Sequence, residues 1–228
     1  MPLYKRKSID WYRHLSFACV GGFFGAYAIM SRCGVLGSAQ TMNLLELVID
    51  ALYGRGVNVL EHFGALAVYV AGTMLTVLLP FKWGVDMRRL SPVITAAAAV
   101  GESFIPAETE VVIALYPIFF AMSVQWSSFR GAQEFYSATI FSTNNTKQAS
   151  LAFAEYLCGR DRRQLHRMAF FLSTLLCFHI GAAVGVAASH FWDVRGALWG
   201  LPLLVWAFFL VTQEEKAEAL QIIKTEKA

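Results

Sequence analysis

Residues Leu15 to Met30 read LSFACVGGFFGAYAIM, sixteen positions without a charged side chain. An α-helix rises about 1.5 Å per residue, so this run, lengthened by a turn at either end, reaches across the roughly 30 Å hydrocarbon core of a bilayer. A helix that is apolar all round needs either a core on every side or lipid. The rest of the chain favours lipid. Its 228 residues are 57% hydrophobic and 15% charged with a mean hydropathy of +0.50, whereas about a quarter of an ordinary soluble domain is charged. At about 20 apolar residues per crossing the chain has room for about six spans and for no separate soluble domain. The reading is therefore an all-α integral membrane protein made of one polytopic domain. The net charge of +3 comes from basic loops, which orient a membrane protein and do not call for nucleic acid.

Working outward, Lys5, Arg6 and Lys7 before the first apolar run, and Ala26, Tyr27 and Ala28 near its end, imitate a secretory signal. Further spans follow, so the first helix is read as retained. The expected spans are Arg13 to Met30, Val57 to Pro80, Leu90 to Pro106, Glu110 to Phe129, Met168 to His190 and Gly196 to Thr212. Two stretches resist that reading. Gly34 to Tyr53 carries Gln40, Thr41, Asn43, Glu46 and Asp50; Gln133 to Leu157 carries Glu134, Ser142, Thr143, Asn144, Asn145, Lys147, Gln148 and Glu155. Both are expected as broken, interfacial or re-entrant helices. With neither crossing, and both termini cytoplasmic, only Arg32, Arg55 and Arg195 of the 19 Lys and Arg fall outside, as the positive-inside rule favours. The expected place is the inner (plasma) membrane of a bacterium, with Cys33 outside and Cys158 inside. Residues 213–228, rich in alternating charge, read as a short cytoplasmic helix. Cys19, Cys33, Cys158 and Cys177 have no ligand spacing, so neither a disulfide nor a metal is expected.

The two polar stretches resemble each other. Ser38 to Asn43 aligns with Ile140 to Asn145, so a Thr-x-Asn triplet recurs; Tyr69 to Thr73 then aligns with Phe178 to Ala182, and Gly34 with Gly131. Each unit is span, polar segment, span, span. An odd number of spans inserts the second unit upside down, which predicts two inverted three-helix repeats, about 13–106 and 110–212, each with a broken or re-entrant polar helix.

Gly21 and Gly22, then Ala26, Tyr27, Arg32, Gly34, the Thr41 to Asn43 triplet, Gln125, Arg130, Gly131 and the Thr143 to Asn145 triplet resemble the YoaK family of small bacterial membrane proteins. The resemblance covers nearly the whole chain and implies a permease-like protein, a distant half-size relative of the major facilitator superfamily. Gly25 stands where that family has an acid, and the triplets read Thr-Met-Asn and Thr-Asn-Asn where it has Thr-Gly-Asn. Gly84, Asp86, Arg88 and Arg89 are similar to the facilitators' loop between the second and third spans, although the topology rule alone produces a basic loop there.

Hydrocarbon cannot satisfy amide and hydroxyl groups, so Thr41, Asn43, Thr143, Asn144 and Asn145 must face protein, water or a ligand. Either they line one shared cavity for a polar solute, together with Gln125 beside Trp126, or they cap the broken helices. Glu46 and Asp50 sit one helical turn apart and either couple a cation or proton, or are solvated at the outer surface. His179 is either a proton relay or a neutral group bonded to a neighbouring helix. Glu102 and Arg130 are open in the same way, and snorkelling to an interface explains both cheaply. Gly72, Gly181, Ala182 and Gly185 read as close packing. The motif inventory contains no zincin, nucleophile-elbow, phosphate-loop or dinucleotide signature, so no catalytic residue and no cofactor is expected. The sequence thus predicts a transporter for a small polar solute, with the lipid bilayer as surroundings and a homodimer as one expected assembly. The alternative is a non-catalytic subunit of a larger complex.

Overall fold

The computed structural model describes residues 8–32 and 40–226. Gly34, Ser38, Ala39, Cys33 and the basic residues Lys5, Arg6, Lys7 and Lys227 lie outside them. The described chain is almost wholly helical: α1 (Ile9–Ser31), α2 (Gln40–Leu52), α3 (Gly56–Trp83), α4 (Met87–Glu102), α5 (Val111–Ala114), α6 (Tyr116–Ser128), α7 (Thr143–Gly159), α8 (Arg162–Trp192) and α9 (Gly200–Glu226). A two-residue β-hairpin, β1 (Gly131–Ala132) with β2 (Phe135–Tyr136), follows α6, and a 3-10 turn (Asp193–Trp199) joins α8 to α9. Gly131 takes a φ of +149° there, and a Cβ on it would strike the Phe135 carbonyl.

Three helical runs are long and apolar enough to cross a membrane: Ile9–Ser31, Gly56–Trp83 and Arg162–Gln221. The third is folded in two, because Asp193 (φ +47°) breaks the helix and the 3-10 turn reverses it. Two expected spans are shorter than foreseen. The third ends at Glu102, giving α4 only 16 residues, or about 24 Å at 1.5 Å per residue. The fourth is broken at Leu115, since Pro117 has no N–H to continue the α5 ladder and so opens a second helix, α6, of 13 residues. Conversely, residues 213–226 are no separate helix: α9 continues through them, with no Gly or Pro to stop it.

Helix directions follow from the contacts. α1 and α8 run parallel, with Trp11 against His166 and Phe170, and Cys19 and Phe23 against Gly181 and Gly185. α9 runs back: the Tyr27 hydroxyl donates to the Val194 carbonyl at 2.9 Å, and Arg13 meets Glu214 at 2.5 Å at the opposite end. α4 is parallel to α1, tied by Arg88 to Glu218 and Arg89 to Glu215 at the Arg13 end and by Glu102 to Arg32 at the other. α3 and α6 run parallel to each other, Gly64 against Tyr116 and Gly72 against Phe120 and Ser123. Thus α1 packs on α8 and α9 as α6 packs on α3 and α4, while α2 pairs with α3 as α7 pairs with α8. The loop residues similar to the facilitators' have local duties here. Gly84 (φ +63°) ends α3, Asp86 caps α4 by accepting from the Arg88 N–H, and both arginines bind α9.

α1 is the centre. Of its apolar stretch 61% is buried, against 11% for that of α3, whose Val57, Leu60, Phe63, Val77 and Phe81 are exposed. Gly21 and Gly22 on α1 and Gly181 and Gly185 on α8 have no room for a side chain; a Cβ on Gly22 would fall on the Phe178 carbonyl oxygen, and one on Gly181 on that of Cys19. Small residues let backbones approach where lipid gives no hydrophobic drive for helices to associate. Gly22→Val should therefore lower stability by at least about 1–3 kcal/mol. Gly101→Ala, where a Cβ meets open space, should be neutral or gain up to about 1 kcal/mol. Thermal unfolding of both variants in one detergent is the check.

Candidate functional site

After the β-hairpin, residues 137–141 enter the protein beside α1. Ser137 lies against His14, and Thr139 and Ile140 against Gly21. Seven residues of helix separate those contacts, or about 10 Å, so the segment reaches about halfway along α1. α7 then runs back to the Arg13 end, where α8 begins. This segment and α7 form a hairpin, and its buried backbone must be satisfied from within. Asn145 does so: its Nδ2 donates to the Ala138 carbonyl (2.8 Å) and the Phe141 carbonyl (3.0 Å), and its Oδ1 accepts from Ser137 Oγ at 2.8 Å. Ser137 Oγ is also 2.9 Å from His14 Nε2. Fully buried Gln125 donates to the Phe17 carbonyl (3.0 Å) and to Thr139 Oγ1 (3.2 Å), so one amide joins α6, α1 and the entering segment.

The described part of the first polar stretch, α2, lies at the Arg32 end. α2 runs into the turn at Tyr53 to Arg55, and α3 leaves from there. Asn43 Nδ2 donates to the His62 carbonyl at 3.0 Å and to Gln40 Oε1 at 3.2 Å, while its Oδ1 faces His62 Nδ1 at 2.8 Å. His62 Nε2 lies 3.5 Å from Asp50 and 3.8 Å from Glu46. Arg55 binds Asp50 at 3.2 Å.

Of the residues singled out from sequence, Asn43, Asn145 and Gln125 are thus buried and bonded within the chain. Thr41, Thr143 and Asn144 are exposed on the hairpin helices. The two Thr-x-Asn segments are not brought together. Asn43 belongs to the Arg32-end helix α2 and Asn145 to the other end, and among the described residues they share no hydrogen-bond partner. Neither lines the cavity of about 430 Å³ at the Arg13 end, walled by the β-hairpin with Asp10, Arg13, Arg130 and Glu214, or the apolar groove of about 510 Å³ between α1, α8 and α9. Trp126, expected beside Gln125 in a cavity wall, packs edge-on against Phe141.

Glu46 and Asp50 do share a face of α2, and that face is turned to His62, so the expectation of two solvated acids fails for Asp50, which is buried. His179 is exposed, and its Nδ1 contacts the carbonyl of Leu175 on its own helix at 2.7 Å. That replaces the expected bond to a neighbouring helix, since a histidine can reach the carbonyl one turn back. Arg130 is exposed, as snorkelling predicts, but Glu102 is fully buried. It faces Arg32 at 3.4 Å, and Arg32 also donates to the carbonyls of Ile105 (3.1 Å) and Pro106 (2.8 Å) just beyond α4. Sequence reasoning missed His14, His62, Ser137, Thr139 and the pairs Arg32–Glu102 and Arg13–Glu214. The available signal was a titratable or charged side chain at the edge of an apolar run, which has to find a partner.

A family profile matches residues 14–211, described as a protein of unknown function, DUF1275. The chain belongs to the DUF1275 family. Neither the curated proteins nor the solved structures compared with it contain a match. In this DUF1275 chain the family span begins at His14 and ends at Val211, so it takes in both hairpins and the Arg32–Glu102 pair. Arg32→Met strands a buried carboxylate and should cost about 3–5 kcal/mol, whereas an Arg32→Met, Glu102→Met double variant should recover most of that loss. A double-mutant cycle on unfolding free energies measures it.

Proposed function

We propose that this DUF1275 chain is a permease-like protein of the bacterial inner membrane, crossing it six times in two inverted units with both termini cytoplasmic, and that it moves a small polar solute. The crossings are α1, α3, α4, α5 with α6, α8 and α9. Exchanging α1 to α4 for α6 to α9 maps the helix packing onto itself, which is what an inverted repeat produces. Such a pairing is what the half-facilitator implication of the resemblance to the YoaK family calls for.

One observation carries the functional part. Of the two polar helices, α7 begins within the protein and runs back to the Arg13 end, and α2 runs to the Arg32 end. Interrupted helices of this kind leave unpaired N–H donors at their starts, where an anionic or polar group is favoured. At α7 the N-cap Ser142 makes no side-chain cap bond, and Thr143 and Asn144 are exposed. The solute would be taken at the α7 start, with the exposed Thr143 and, on α2, the exposed Thr41 offering their hydroxyls. Asn43, Asn145 and Gln125 act as the locks that hold the hairpins in place.

The rival, a non-catalytic membrane subunit, draws on those same locks, because bonds spent within the chain are bonds not offered to a solute. Ligand binding to the folded state raises its apparent stability. In a thermal-unfolding screen against metabolites, ions and antimicrobial compounds, at least one compound should stabilise the wild type and lose its effect in the Thr41→Ala, Thr143→Ala variant. Silence across the panel with both proteins folded would favour the subunit. Orientation has a separate check in single-cysteine proteins labelled with impermeant reagents: Cys158 should react only from the cytoplasmic side and Arg55→Cys only from outside.

A further inference from the structure

His62 lies two turns into α3, 6% exposed and turned to α2. Elementary chemistry orients the amide beside it. The Asn43 atom 3.0 Å from the His62 carbonyl oxygen must be the N–H donor, which leaves Oδ1 to face ring Nδ1 at 2.8 Å. An amide oxygen only accepts, so Nδ1 carries a hydrogen. A neutral imidazole has one N–H, and Nε2 would then turn its lone pair toward Asp50 Oδ2 at 3.5 Å and Glu46 Oε2 at 3.8 Å. Three acceptors facing one another with no hydrogen between them repel. A proton on Nε2 converts that repulsion into a charge-assisted contact.

We infer that His62 is a proton-binding site: a second proton enters at Nε2, is held between Asp50 and Glu46, and fastens α2 to α3 through an imidazolium. The surrounding charges suit a cation. α2 supplies Glu46 and Asp50, the turn supplies Arg55 bound to Asp50 Oδ1, α3 supplies Glu61, and the residue before α5 supplies Glu110, within hydrogen-bonding reach of Glu61. From α6, Tyr116 donates to the Glu61 carbonyl. Four carboxylates thus face one arginine. Arg55 occupies one oxygen of Asp50 and leaves the other for the ring. Among the described residues no three His, Cys, Asp or Glu side chains are arranged to hold a metal ion, and the proton is the cation that fits. Its path is short, since the Glu46 side chain is 35% and that of Arg55 58% exposed. The α2–α3 contact closes around that proton. This goes beyond the solute reading and does not rest on it: a chain that moves nothing would still bind this proton.

The test uses the full chain in lipid nanodiscs with its five histidines labelled in both ring nitrogens, compared at about pH 5 and about pH 8, the range in which histidine changes charge. The His62 signals are identified by their proximity to the Asn43 amide, so no variant has to fold. Both ring nitrogens should be N–H in acid, with Nε2 alone losing its hydrogen toward base and Nδ1 keeping it. A ring with its hydrogen on Nε2 and none on Nδ1, or a bare Nε2 at both values, overturns the proposal.

Discussion

The architecture depends on how closely α1 approaches its neighbours. In lipid, helices gain nothing by hiding apolar surface from one another, so association rests on van der Waals contact and on the few polar groups they can share. Gly21, Gly22, Gly181 and Gly185 let α1 and α8 meet backbone to backbone and let the entering segment of the second hairpin lie directly on α1. Everything carried by that segment follows, including the place of Thr139 against Gln125 and of Ser137 against His14. A side chain at Gly21 would fall on the Thr139 carbonyl and displace the hairpin as a whole.

Charge acts at the two ends. At the Arg13 end three arginines, Arg13, Arg88 and Arg89, hold Glu214, Glu218 and Glu215 on α9. At the other end Arg32 holds Glu102 and the carbonyls that follow α4. The first set, apart from the nearly buried Arg13–Glu214 pair, is partly solvated and adds little individually. The Arg32–Glu102 pair is sealed, and its value lies in how much is lost when one partner is removed. These ties explain why the charged tail stays part of α9: three of its acids are in register with bases on α1 and α4.

The two polar helices are held in two different ways. A chain that enters the interior and returns must satisfy its backbone without water. At α7 the Asn145 side chain closes the hairpin on the carbonyls of its own entering segment. At α2 the Asn43 side chain reaches the next helix and, by orienting the His62 ring, creates a titratable contact with Glu46 and Asp50. The recurrent asparagine therefore serves a common structural purpose, while the titratable groups around it belong to the first hairpin.

Much was legible in the chain itself. Composition and the run from Leu15 to Met30 made it a helical chain with runs apolar enough to cross a membrane, because the dielectric of the surroundings acts on each residue independently of its partners. The glycines of α1 and α8 and the two polar stretches could be located for the same reason: each is a local departure from an apolar background. What tertiary structure alone decided was partnership. That Glu102 seeks Arg32 and does not snorkel, that Asp50 turns to His62, that Asn43 and Asn145 stay in separate hairpins, and that the tail continues α9 all depend on distances between residues far apart in the chain. Hydropathy and spacing carry no record of such distances, since they are set only when helices pack.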